Sequence, residues 1–200
     1  MYLVVGLGNP GKKYTGSRHN VGFMAADELA RRLEIGAWKE KFKGLLAETR
    51  YKDEKLRILK PQTFMNLSGE SVYQAKRFYK TPIQYIIVVH DELDIPLGTM
   101  RVKAGGGSAG HKGLESIIRW LGTGGFIRVR IGIGKPPGKQ GVITHVLSSF
   151  TKSDKPVLEE TIILASDAVL KIVSNGVESA MNAYNRKSLN HDHPHVGEDQ

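Results

Sequence analysis

Apolar and polar positions alternate along this chain in two rhythms, one of period two and one near 3.6. Tyr2 to Val5 is a short apolar run broken by Gly6, Gly8, Pro10 and Gly11, the pattern of a buried strand entering a tight loop. Val21, Met24, Ala25, Leu29 and Leu33 then recur at helical spacing up to Gly36, with Asn20 placed to cap them. Leu45 to Tyr51 and Leu56 to Leu59 read as strands joined through the polar Lys52-Asp53-Glu54-Lys55, a hairpin with one covered face. Pro61 closes the second strand, and Asn66 or Ser68 can cap a helix running to Tyr79 with Val72, Ala75, Phe78 and Tyr79 on its inner side.

Tyr85 to Val89 is a further buried strand, and it delivers His90-Asp91-Glu92-Leu93-Asp94 at its carboxyl end, where open α/β sheets gather functional groups. A strand follows Gly98 through Lys103, then the glycine-rich run Gly105 to Gly113, a helix from His111 to Leu121, and strands at Ile127 to Ile133 and Val142 to Val146. Lys155 to Val173 carries the apolar stripe of a long amphipathic helix, with a second short helix after Gly176 to Tyr184. Mixed crossovers and hairpins predict an α/β fold: a single globular domain, a mixed parallel/antiparallel sheet surrounded by helices. That domain is expected over residues 1–186. Residues 187–200 are polar, carry His191, His193 and His195 at alternate positions, and read as a disordered tail.

Length and composition narrow the function. Two hundred residues, 40% hydrophobic, suit one buried core. The absence of cysteine excludes disulfides, thiolate zinc sites, iron–sulfur clusters and a thiol nucleophile, and fits a reducing compartment. The longest aliphatic run, Ile86-Ile87-Val88-Val89, is far short of the ~20 residues that span a bilayer. No signal peptide or membrane anchor is visible, so a cytoplasmic protein is expected.

Charge adds a partner. Twenty-nine Lys and Arg against 20 Asp and Glu give +9, which favours a polyanion. In Ile127-Arg128-Val129-Arg130-Ile131 the period of two puts both arginines on one face, and Arg101-Val102-Lys103 repeats the pattern. A sheet edge can therefore present four cations together, with Lys112, Lys135 and Lys139 close in sequence: a phosphate-binding stripe, or simply a solvated polar face.

Two glycine patterns mimic nucleotide motifs. Gly6-Leu7-Gly8-Asn9-Pro10-Gly11 satisfies a dinucleotide fingerprint by letter, yet Lys12 to Arg18 reads as further loop where a helix should open. Gly105 to Gly110 does precede a helix, but no acidic residue follows at a strand end. For chemistry, His19 ends the first loop and Asp91 ends a central strand. A histidine whose Nδ1–H is held by a carboxylate keeps Nε2 free to take a proton, from a side chain or from water. Ser17, Ser68, Ser71 and Ser108 lack a Gly-x-Ser-x-Gly elbow, which favours water. Asn9 and Asn66 are loop amides able to orient a carbonyl or an oxyanion. His90 and Asp91, adjacent on a strand, point to opposite faces and do not converge on a metal.

The runs Val5 to Gly11, Tyr14 through Arg18-His19-Asn20, Lys60 to Gly69, His90-Asp91-Glu92-Leu93-Asp94 with the glycine run after Lys103, and Arg128 to Gly134 together resemble bacterial peptidyl-tRNA hydrolase. The resemblance extends in order over residues 2 to 186. It implies a monomeric α/β esterase that cleaves peptide from the 3′ ribose of peptidyl-tRNA and needs no metal or organic cofactor. On that resemblance His19 is the general base on water and Asp91 orients it, while Asn9 and Asn66 position substrate and water. Tyr14 lines the site near the peptide or terminal nucleotide. Lys103 and Arg130 match a clamp for the tRNA 5′-phosphate, and Lys139 a further basic contact to the acceptor stem. The chain departs from the family at Lys112, where many members have asparagine; a lysine only donates, which points to altered substrate grip. The competing readings are a non-catalytic, hydrolase-like RNA-binding or splicing factor and a nucleotide-dependent enzyme.

Overall fold

β1 (Tyr2–Gly6) is apolar on both faces because it lies in the middle of a seven-stranded sheet. The computed structural model describes residues 1–136 and 141–185. After β1 come α1 (Val21–Arg32), the strands β2 (Lys39–Lys41), β3 (Gly44–Tyr51) and β4 (Glu54–Pro61), α2 (Ser68–Tyr79), β5 (Ile86–Glu92), β6 (Met100–Ala104), α3 (Lys112–Leu121), β7 (Ile127–Gly132), α4 (Val142–Leu147) and α5 (Lys155–Tyr184). The strand order is β2-β3-β4-β1-β5-β7-β6. The four central strands run parallel, and β2, β3 and β6 join by antiparallel pairing. The expected mixed α/β architecture is what the chain adopts.

Strand alternation divides the core into two layers. Val4, Ile58, Ile87, Val89 and Val129 pack against Ala25, Ala26 and Leu29 of α1 and Ala165, Val169 and Ile172 of α5. Leu3, Val5, Leu59, Val88 and Phe126 face Val72 and Ala75 of α2 and Leu114 and Ile117 of α3. Both layers are apolar and buried, and polar side chains gather at the carboxyl end of β5, where His90, Asp91 and Glu92 lie.

Backbone contact sets how closely helices approach. A Cβ on Gly22, in the first turn of α1, would stand 2.4 Å from both the Leu7 nitrogen and the Val89 oxygen. One on Gly69 would stand 2.2 Å from the Ser116 oxygen, and the Gly69 N–H donates to Ser116 Oγ at 3.0 Å. Glycine at the first site lets α1 start directly on the ends of β1 and β5; at the second it locks α2 to α3.

Some expectations need correction, and one short strand went unforeseen. Val142–Leu147 is helical, because both edges of β7 are already taken by β5 and β6 and no strand edge remains beside it; Val142, Ile143, Val146 and Leu147 share a helical face instead. Asn20 makes no side-chain cap on α1, and neither Asn66 nor Ser68 caps α2, whose flanking residue is Leu67; Ser68 Oγ donates to the Met65 carbonyl. The C-terminal helical segment Lys155–Tyr184 does run in two parts as expected, meeting at Gly176, whose φ of 82° breaks the helix. β2, Lys-Glu-Lys and exposed throughout, carries no periodicity that marks a strand. The proposed tail, 187–200, lies outside the described residues.

Replacing Gly22 by alanine is expected to cost about 2–3 kcal/mol through overpacking. The matched Gly36→Ala, with open space around its Cβ, should stay within about 0.5 kcal/mol of wild type in the same urea titration.

Candidate active site

The carboxyl ends of β1 and β5 open into a cleft of about 990 Å³. Asp91, 3% exposed near the end of β5, sits at its base. His19 reaches it from the 3₁₀ turn Arg18–Asn20 that precedes α1: its Nδ1 lies 2.8 Å and 2.9 Å from the two carboxylate oxygens. Nδ1–H donates to the carboxylate, and Nε2 is left as the ring's acceptor.

A second imidazole completes the arrangement. His111 Nε2 is 3.0 Å from Asp91 Oδ1, while its Nδ1 accepts the backbone N–H groups of Gly113 and Leu114 at 3.1 and 3.3 Å. Because Nδ1 is an acceptor, the proton of this neutral ring must be on Nε2, pointing at Asp91. His111 is thus both the cap of α3 and a relay that brings the positive end of the α3 dipole to the carboxylate. Burial opposes the charge on Asp91, but His111 first and His19 second outweigh it and hold the carboxyl well below its ordinary pKa.

The ligand-type atoms of His19, Asp91 and His111 lie within 4.8 Å of one another, a spacing compatible with a metal ion. The tautomer argues for a proton network instead: a cation would need a lone pair on His111 Nε2, which carries hydrogen as long as α3 occupies Nδ1.

Asn9 is held on three sides. Its N–H donates to Asn20 Oδ1 at 2.8 Å, Asn20 Nδ2 donates back to its carbonyl at 3.0 Å, and the Met65 N–H donates to its Oδ1 at 2.8 Å. With Oδ1 occupied, Asn9 offers Nδ2 to the cleft that it lines. Asn20, expected as a helix cap, is thereby a clamp on Asn9. Asn66 and Tyr14 also line the cleft, Asn66 as an exposed residue of the 3₁₀ turn Met65–Leu67.

The basic residues divide. In the β6–β7 register Arg101 faces Arg130 and Lys103 faces Arg128, so the four cations do share one face. Arg128, however, is 4% exposed and donates to the carbonyls of Gly106 and Gly107; it closes the glycine run from below and is not open to phosphate. Arg130 is bound at 2.9 Å by Glu92, which lines the cleft, and Lys103 is exposed beside the glycine run. Lys112 lines the cleft and pairs with Glu115 at 3.0 Å, and Lys135 pairs with Asp94 at 3.1 Å. Lys139 lies outside the described residues.

Sequence reasoning singled out neither His111 nor Glu92. His111 stands at the boundary of the glycine run and the α3 periodicity, the only signal for it; histidine is an uncommon cap. Glu92 neighbours Asp91 but needs the β5–β7 register to find Arg130.

A parallel-centred mixed sheet thus brings a histidine–carboxylate pair and an amide donor to one cleft, the layout of an α/β enzyme with a site suited to acid–base chemistry. The family is equally plain: the model of the peptidyl-tRNA hydrolase family matches residues 3–192, and the chain belongs to that family. A peptidyl-tRNA hydrolase of Thermoanaerobacter sp. (strain X514) is 50% identical over 185 residues, 92% of this chain and 100% of that protein. One of Sorangium cellulosum (strain So ce56) is 49% identical over 94% of this chain and 85% of its own length. Among solved structures, peptidyl-tRNA hydrolase from Acinetobacter baumannii matches with a TM-score of 0.88 at 37% identity, over 94% of this chain and 96% of that one.

His90 gives a prediction of its own. Fully buried, it donates Nδ1–H to the Asp91 carbonyl at 2.7 Å, and its pKa is lowered to about 3 by burial first and by the neighbouring His111 second. Native His90 stays neutral while the unfolded chain takes up a proton near pH 6.5, so its contribution is complete above that pH and is lost as pH falls toward 3. Between pH 6 and pH 4 the unfolding free energy of wild type should therefore fall more steeply than that of His90→Asn, by about 1.4 kcal/mol per pH unit in denaturant titrations. Equal slopes would show that His90 is protonated in the fold.

Proposed function

We propose that this chain hydrolyses the ester between a peptide, or an N-blocked aminoacyl group, and the 3′ ribose of tRNA, with His19 as general base. The observation that carries the reading is the His19–Asp91 pair, with Nδ1 tied down at 2.8 Å and Nε2 free, in the cleft of a chain from this family. Water attacks the ester carbonyl as its proton passes to His19 Nε2, and Asp91 stabilises the imidazolium that forms. Asn9 Nδ2 donates to the developing oxyanion, and Asn66, next to the Met65 that holds Asn9, positions the substrate or the water. When the tetrahedral intermediate collapses, the C–O bond to the ribose breaks and His19 returns the proton to the departing 3′ oxygen. The products are a free carboxylate and a tRNA with its 3′ hydroxyl restored.

Tyr14 flanks the terminal nucleotide or the peptide. Lys103 and Arg130 bind the 5′-phosphate, with Lys112 and Lys139 as further contacts to the acceptor end. The net charge of +9 supports such a partner. We place the activity with a monomer in the cytoplasm, with no metal or organic cofactor in the chemistry.

The test is release of acetyl-aminoacyl groups from N-acetyl-aminoacyl-tRNA in EDTA. Wild type should turn over while the tRNA stays intact, and a folded His19→Ala should lose at least about 10²-fold in kcat. Folded wild-type protein that binds the RNA and releases nothing would instead favour a non-catalytic RNA-binding role. Lys112→Asn should move KM more than kcat, since the lysine reaches the substrate from the cleft wall and no reacting atom; a collapse of kcat would place it in the chemical step.

A further inference from the structure

The residue before His19 ties two parts of the cleft together. The guanidinium of Arg18 donates from Nη1 to Ser148 Oγ at 2.8 Å and to the Ser149 carbonyl at 2.5 Å, and from Nη2 to Asp154 at 3.2 Å. It also covers the Phe150 ring, 4.8 Å from its centroid. The Arg18 N–H donates to the Ser148 carbonyl at 3.0 Å, and Ser17 pairs with Ser149 as an isolated antiparallel bridge. Ser148 is the residue on which α4 ends. The loop that carries His19 is therefore spliced to the end of α4 by main chain and side chain together.

α4 itself forms an apolar wall of the same cleft. Val142, Ile143, Val146 and Leu147 line it, with Ile143 75% exposed, and Phe64, 55% exposed, lines it too. Exposed aliphatic groups of this kind, continuous with a site for ester hydrolysis, fit the side chains of an acyl group and not a ribose or a phosphate. The opposite face of α4 is fixed to the segment after β7, where buried His145 Nε2 lies 3.0 Å from the Gly134 carbonyl.

We propose that Arg18 is a positioning residue that sets the spacing between His19 and the apolar wall of α4, and that this wall gives the enzyme a preference for peptides with bulky apolar residues next to the ester. The proposal rests on the hydrolytic reading above. The planar fork of Arg18 meets three acceptors at once, and a lysine cannot reproduce that geometry. With the fork removed, an apolar acyl group can still enter, but its carbonyl is no longer delivered at the right distance from the water on His19.

The experiment compares N-acetyl-leucyl-tRNA with N-acetyl-glycyl-tRNA. Wild type should favour the leucyl substrate in kcat/KM by about tenfold. In Arg18→Ala and Arg18→Lys both substrates should be cleaved more slowly, the leucyl one by several-fold more, so that the preference contracts toward unity. Asp154→Asn, which keeps an oxygen for the guanidinium, should retain most of the preference and serves where an Arg18 variant fails to fold. Ile143→Ser should contract the preference with Arg18 intact. A merely structural role for Arg18 predicts equal losses on both substrates and would overturn the proposal, as would a wild type with no preference. No release by wild type on either substrate would overturn the hydrolytic reading itself, a distinguishable result.

Discussion

A buried carboxylate has to be paid for with hydrogen bonds, and the cleft is organised by how Asp91 obtains them. At 3% exposure it has little recourse to water, so two imidazoles must point protons at it. One of these, His111, is in turn fixed by the first N–H groups of α3, which need an acceptor themselves. The orphan amides of a helix and a desolvated carboxylate thus satisfy one another through a single ring. Because α3 is locked to α2 at Gly69 and Ser116, that ring's place depends on helix packing well outside the cleft. His19 is then the member of the network that retains a free nitrogen.

The strong positive charge is not spread evenly in function. Arg128 spends its donors on glycine carbonyls and shapes the loop after β6. Arg18 ties loop to helix, and Arg130 is oriented by Glu92. Lys103 is exposed, and Lys112 is exposed in its pair with Glu115. This division follows from side-chain chemistry: the guanidinium can satisfy several fixed acceptors in a plane, whereas an ammonium works as a mobile point charge. A net charge read from sequence therefore overstates the cation available to a partner.

Much of this is legible in the amino-acid sequence. The apolar runs of β1, β5 and β7 and the stripes of α1, α2 and α3 announce themselves because burial on one or two faces writes a period into the sequence. His19 and Asp91 could be singled out as a candidate pair since one ends the first loop and the other lies at the end of a central strand. What the sequence hid depends on tertiary neighbours. Val142 to Leu147 is rich in β-branched residues yet becomes helical, because the sheet has no edge left beside β7. Asn20 has the chemistry of a cap and is used instead as a clamp, since Asn9 lies within reach across the loop. Arg128 alternates like a solvent-facing residue, and only the fold of the glycine run over it makes it buried. No residue-by-residue pattern carries such information.

The same contrast explains why the cleft is half polar and half apolar. Ester hydrolysis needs a base whose second nitrogen is held, a donor for the oxyanion, and a carbonyl kept still between them. The polar half grows from the end of β5, where the sheet fixes Asp91, and from the loop after β1, where Asn20 and Met65 hold Asn9. The apolar half comes from α4, a short helix that two turns would hardly stabilise alone. Its anchors are therefore external: His145 on the carbonyls after β7 and the Arg18 fork on the segment that follows it. A short, externally pinned helix can vary its exposed side chains without disturbing the strands beneath, so acyl preference can change while the His19–Asp91 geometry is kept. Chemistry and selectivity are thus carried by different elements, and Arg18, adjacent to His19 in the chain, is where they meet.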